Sequence, residues 1–216
     1  MPQSLAPRVL AVRTIPNVAG PLAEALGLET GQAAVGFLTV DQDDPTYVAI
    51  DEATKKAAVE VVYARSFYGG SRFASGPTSG ETLAVLAGDV IGEVEAGLDA
   101  AISHLESHVS YRSADGDGQR RYFAHLIARS GTYLSGRVGV EPGTALAYLK
   151  ATPLEATYAL DQALKSASVE MLEWMGPPTP TNMAGALVTG TEADCRAACE
   201  AFEQAVLGVH RDPVRY

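Results

Sequence analysis

The sequence predicts an α+β fold built as two tandem copies of one domain, each a single sheet under helices. Three observations carry this. Short peptides recur in the same order along the chain. Each half reads as strands, helix, strand, strand, helix. Each half also ends in a long alanine-rich segment, at 90–107 and 191–207. Repetition of this kind is sought first because it sets the unit of folding.

Alternation and short apolar runs predict strands at 8–15, 34–40, 46–50, 59–65 and 82–88, then at 121–128, 144–149, 168–174 and 184–189. Helices are expected at 20–27, 51–57, 90–107, 154–166 and 191–207. The last opens on Thr191, a capping residue type, followed by Glu192 and Asp194, whose charge suits a helix N-terminus. Its Ala193, Ala197, Ala198, Ala201, Ala205 and Leu207 alternate with acids, as in a helix lying on a sheet.

The repeat is read from Glu52-Ala53-Thr54, which recurs as Glu155-Ala156-Thr157, from Val59–Ala64 against Val169–Trp174, and from Leu83–Gly88 against Gly185–Gly190. The unequal spacing of these matches predicts a longer helix before the strand of the second copy. It also predicts about eight extra residues between two strands of the first, within 66–80. That segment is rich in glycine and holds Pro77, and is expected to be the most mobile internal part. The polar run 113–118 marks the junction, giving a first domain at 1–110 and a second at 111–216.

Composition narrows the function. The chain has 216 residues, 47% hydrophobic and 19% charged, an ordinary globular balance that excludes dominant disorder. A net charge of −10 argues against nucleic acid and anionic membrane as partners. No apolar run reaches the ~20 residues of a membrane span, and the first residues make a poor signal peptide. Two cysteines are no disulfide framework, so a reducing cytoplasm is the default location.

No phosphate-binding loop, dinucleotide fingerprint, nucleophile elbow or zinc-protease motif is present, and no cofactor is expected. His104 and His108, four apart on a helix, fit metal ligation or two polar residues at a helix C-terminus. Cys195 and Cys199, also four apart, fit a metal pair, a strained disulfide or two small buried hydrophobes. The run Asp41-Gln42-Asp43-Asp44 fits a cation or amine site, or a solvated acidic turn. No set combines nucleophile, base and oxyanion stabiliser, so the chain is not expected to be an enzyme.

The element order, with GALVTG leading into an alanine-rich helix, resembles the bacterial microcompartment shell domain. DDPTYVAIDEATK at 43–55, VEVVYARS at 59–66, SGTYLS at 130–135, PLEATY at 153–158 and the pair Cys195 and Cys199 are similar to the EutL-type shell proteins of ethanolamine utilisation. The resemblance spans nearly the whole chain. It implies two circularly permuted ferredoxin-like shell domains in tandem. It also implies a homotrimeric, pseudo-hexameric tile that packs with other shell proteins around a compartment in the cytoplasm. The central pore would be gated by the long loop of the first copy, at Phe67, Tyr68, Gly69, Gly70, Ser71, Arg72 and Phe73. Phe73 stands where the family can have histidine, and no metal is expected there. Small pores within each subunit would take ethanolamine at Asp43, Asp44, Glu81, Tyr111 and Thr181, with Tyr111 placing a hydroxyl where the family has phenylalanine. The alternative is a trimeric sensor of small amines that builds no shell.

Overall fold

A computed structural model describes residues 3–67, 81–115, 118, 120–177 and 179–214. The elements run β1 (Gln3–Leu5), β2 (Val9–Ile15), α1 (Gly20–Leu26), β3 (Ala34–Val40), α2 (Asp43–Lys56), β4 (Glu60–Phe67), β5 (Glu81–Gly88) and α3 (Ile91–Ser107). They continue with β6 (Tyr111–Ser113), β7 (Arg121–Ile127), α4 (Thr132–Val138), β8 (Leu146–Ala151), α5 (Pro153–Ser166), β9 (Glu170–Met175), β10 (Ala184–Thr189) and α6 (Glu192–Arg211).

The four-stranded sheet has the order β2-β3-β5-β4, and the six-stranded sheet β1-β6-β7-β8-β10-β9. The second contains the order of the first, with β7-β8-β10-β9 in place of β2-β3-β5-β4, so the chain is a duplication. Its two extra strands are β6 and β1, and β1 pairs antiparallel with β6 through Gln3 and Ser113.

Burial shows how the layers stack. In β8, Leu146 and Tyr148 face one core, while Ala147, Leu149 and Ala151 face another. The first core also holds Val48, Ile50 and Ala53 of α2 with Val94, Leu98 and Leu105 of α3. The second holds Ala156 and Ala163 of α5 with Ala198 and Phe202 of α6. Helices α2 and α3 therefore lie between the two sheets, and α5 and α6 cover the far face of the larger one.

This sandwiching corrects one expectation. Residues 46–50 are not a strand but the second turn of α2, with Thr46 Oγ1 donating to the Gln42 carbonyl at 2.5 Å. A β-branched run reads as a strand by propensity. Here it is buried from both sides, so the one-sided helical period that would reveal α2 is absent. The supposed longer helix of the second copy is also absent, since α2 and α5 both have 14 residues. Glu52 sits in the third turn of α2 and Glu155 in the first turn of α5, so that tripeptide match is a coincidence of composition. The longer connection of the first copy is real but exceeds the second by five residues rather than about eight: 68–80 joins β4 to β5, against 176–183 in the second. Strands β1 and β6 and helix α4 were not foreseen.

Candidate amine-binding cavity

The acidic run is no solvated turn. Asp41, Gln42, Asp43 and Asp44 are all at most 4% exposed, and the last two form the first turn of α2. The unpaired N–H groups of that turn favour negative charge. Asp41 is held by Arg8, whose Nε donates to Oδ2 at 2.8 Å.

Asp43 and Asp44 are bridged from beneath. The Tyr111 hydroxyl of β6 lies 2.8 Å from Asp43 Oδ1 and 2.5 Å from Asp44 Oδ2, and the Tyr148 hydroxyl of β8 donates to Asp44 Oδ1 at 2.6 Å. One tyrosine proton cannot serve two carboxylates, so the second contact favours a proton on the pair. Burial, then the neighbouring Asp44, pushes the Asp43 carboxyl up to about 6, against a pull from Lys150.

The two aspartates line a cavity of about 420 Å³. Its aromatic side is Tyr47, Tyr133 and Tyr148, and its far side carries Ser66, Met175 and Thr181. Three cations line the same space, of which Arg65 of β4 is exposed. Arg137 of α4 is neutralised by a two-pronged pair with Glu173 of β9, at 2.8 Å for both bonds, and stacks over Tyr47 and Tyr148. Lys150 of β8 is 4% exposed.

Of the residues singled out from the sequence, Asp43, Asp44 and Thr181 share the cavity wall. Tyr111 lies behind the carboxylates, fully buried, with its ring edge-on to Phe123. Glu81 opens β5 opposite Phe67, one residue beyond the wall residue Ser66, and is not itself in the lining. Phe67 ends β4 and is 43% exposed, while Tyr68, Gly69, Gly70, Ser71, Arg72 and Phe73 lie outside the described residues, as does 68–80 generally. Sequence reasoning missed Tyr148, Lys150 and Arg137. A signal for Lys150 existed: it is the one charged residue in the otherwise apolar LAYLKA of β8.

The other candidates separate from this site. His104 and His108 stack in parallel with ring centres 5.2 Å apart, and His125 meets His104 edge-on. Burial depresses His125 to about 4, so it is neutral at pH 7. Among the described residues no three His, Cys, Asp or Glu side chains are placed to hold a metal. Cys195 and Cys199 are free thiols on the buried face of α6. Burial pushes Cys199 up to about 12. Alkylation at pH 8 is therefore expected to proceed roughly 10³-fold slower in the native protein than in the unfolded chain. Equal rates, read by mass spectrometry, would contradict that burial.

A duplicated sheet-and-helix unit of this order is that of a microcompartment shell protein, and residues 34–113 match the BMC domain family. The chain is 49% identical to the bacterial microcompartment shell protein EutL of Clostridium perfringens over 97% of each chain. It is 45% identical to EutL of Escherichia coli strain K12, over 97% of this chain and 95% of that one. The crystal structure of the ethanolamine utilization protein EutL from Leptotrichia buccalis superimposes with a TM-score of 0.94 at 48% identity, covering 100% and 99% of the two chains. The chain belongs to the EutL family of bacterial microcompartment shell proteins. These relatives are shell proteins, which does not favour the free-standing sensor. Among the described residues no helix is long and apolar enough to cross a membrane.

Proposed function

We propose that this shell protein tiles the ethanolamine-utilisation microcompartment as a homotrimer. In this reading each subunit carries a small polar passage that takes ethanolamine, and a central pore is gated by the segment containing Phe67 and residues 68–73. The observation that carries the ligand assignment is the pair of buried carboxylates, Asp43 and Asp44, at the wall of one polar cavity. Adjacent buried carboxylates repel, and a small cation relieves that repulsion. Acidic groups in a narrow passage also favour cations over anions. The division near residue 110 gives each trimer six similar domains, which suits a closed ring. Tyr63 and Trp174, 40% and 59% exposed on the edge strands β4 and β9, suit burial against neighbouring copies.

Titration of ethanolamine by calorimetry tests the site. Wild type is expected to bind it weakly, because so few heavy atoms carry little affinity. Asp43→Asn is expected to bind it at least about tenfold more weakly, the loss of one charge-assisted hydrogen bond. Affinity should also fall on acidification. Asp43 takes up a proton as the pH drops through about 6, and the ligand ammonium must displace it. Below that value affinity is expected to fall about tenfold per pH unit, with protons released on binding. The same shift opposes folding at neutral pH. Between 3.8 and about 6 the folded carboxyl holds a proton that the unfolded one has lost, so its contribution to stability declines as the pH rises through that window. Equal affinities in wild type and Asp43→Asn would refute the site.

A further inference from the structure

Two polar groups in the cavity wall have no adequate partner. Lys150 is 4% exposed, and among the described residues its ammonium has no carboxylate within salt-bridge range. The hydrogen-bond partner of its Nζ is the thioether sulfur of Met175, at 3.9 Å, a weak acceptor. Thr181 is fully buried, and among the described residues its Oγ1 makes no hydrogen bond. Buried donors and hydroxyls are paired in folded proteins, so an orphan in a cavity wall points to a ligand or water that completes it.

The placement of Lys150 is built in. It follows Leu146 and Tyr148 on the face of β8 that turns toward α2. Directly across the ladder stands Gly185, where a Cβ would overlap the Leu149 carbonyl oxygen. The strands thus close tightly at this point and fix the lysine backbone. Charge also fits. Among the buried wall groups, Asp43, Asp44 and Lys150 sum to one negative charge when both carboxylates are ionised; the Arg137–Glu173 pair cancels itself, and Arg65, also in the wall, is exposed to solvent. A ligand with a single positive charge balances these buried groups. An oxygen on that ligand supplies the acceptor that Lys150 lacks.

We propose that Lys150, with Thr181 Oγ1, reads the oxygen end of a small amino alcohol whose ammonium sits against Asp43 and Asp44, and so selects amino alcohols over alkylamines. This rests on the cation reading above and adds a specificity-determining residue to it. A site built to bond a hydroxyl rejects the analogue that lacks one, because its own polar groups are then left unpaired.

The test compares ethanolamine with n-propylamine, which has a methyl in place of the hydroxyl, by calorimetry on the full chain at pH 7.5. Wild type should prefer ethanolamine by about tenfold or more. In Lys150→Met the preference should shrink to about threefold or less. n-Propylamine should then bind more tightly than to wild type, because a repelling charge has gone. A general structural loss would weaken both amines together. Thr181→Val keeps the side-chain shape and should reduce the preference in the same direction, so the inference stays testable if Lys150→Met does not fold. Equal binding of the two amines by wild type, or an unchanged preference in the variants, overturns the role of Lys150 and leaves the cation site standing. Binding of neither amine to wild type overturns both.

Discussion

Replacing Gly185 by alanine is expected to destabilise the folded protein severely. The added Cβ would overlap the Leu149 carbonyl oxygen and lie 2.8 Å from its carbon. These are backbone atoms of a central strand and cannot swing aside. Strands β8 and β10 are neighbours through six paired positions from Ala184 to Thr189. Spreading them breaks ladder bonds and opens the packed faces on both sides of the sheet. The sum of overpacking and lost pairing is about 4 kcal/mol or more, a large part of the stability of a domain. Gly92→Ala is the matched control. It sits in α3 with open space around it, and it should be neutral or add up to about 1 kcal/mol. Soluble yield and denaturant midpoint, measured at one protomer concentration, distinguish the two. A Gly185→Ala protein as stable as wild type would show that the sheets do not close as described.

Asp51→Ala is expected to cost about 3 kcal/mol. Asp51 is fully buried in α2 and caps a helix of the other half. Its Oδ2 accepts from the Gly131 N–H at 2.7 Å and its Oδ1 from the Leu134 N–H at 2.8 Å. Nearby, Thr54 Oγ1 accepts from the Thr132 N–H at 3.0 Å. Helix α4, of seven residues, has no side-chain cap of its own, so α2 supplies one. Alanine would strand two buried N–H groups. Asp51→Asn keeps one acceptor and should lose less. Because α4 carries Tyr133 and Arg137, both in the cavity wall, the alanine variant should also weaken ethanolamine binding. Unchanged unfolding in Asp51→Ala would mean that α4 is not held from α2.

What the sequence disclosed and what it hid follow from the same packing. The repeated sheets were legible because β5 and β10 are apolar runs leading into long amphipathic helices. Helix α2 was not, since Thr46–Ile50 is apolar and β-branched and is enclosed by both sheets. Helix α4 depends on Asp51, some 80 residues earlier in the chain, which no local pattern reveals. Strands β1 and β6 have three residues each, too few for alternation to show. At the site, the adjacent aspartates stood out as a charge run. Their partners Tyr148 and Lys150 come from β8 and Arg137 from α4, which meet the aspartates only in the folded chain.

The structure of the assembled protein grown with ethanolamine at pH 7.5 tests the central claim most directly. The expected result is a closed trimer in which every subunit holds one ethanolamine, its ammonium about 3 Å from Asp43 and Asp44 and its oxygen within hydrogen-bond reach of Lys150. A saturated crystal with the ligand elsewhere, or with this cavity filled by a neighbouring chain, would contradict it.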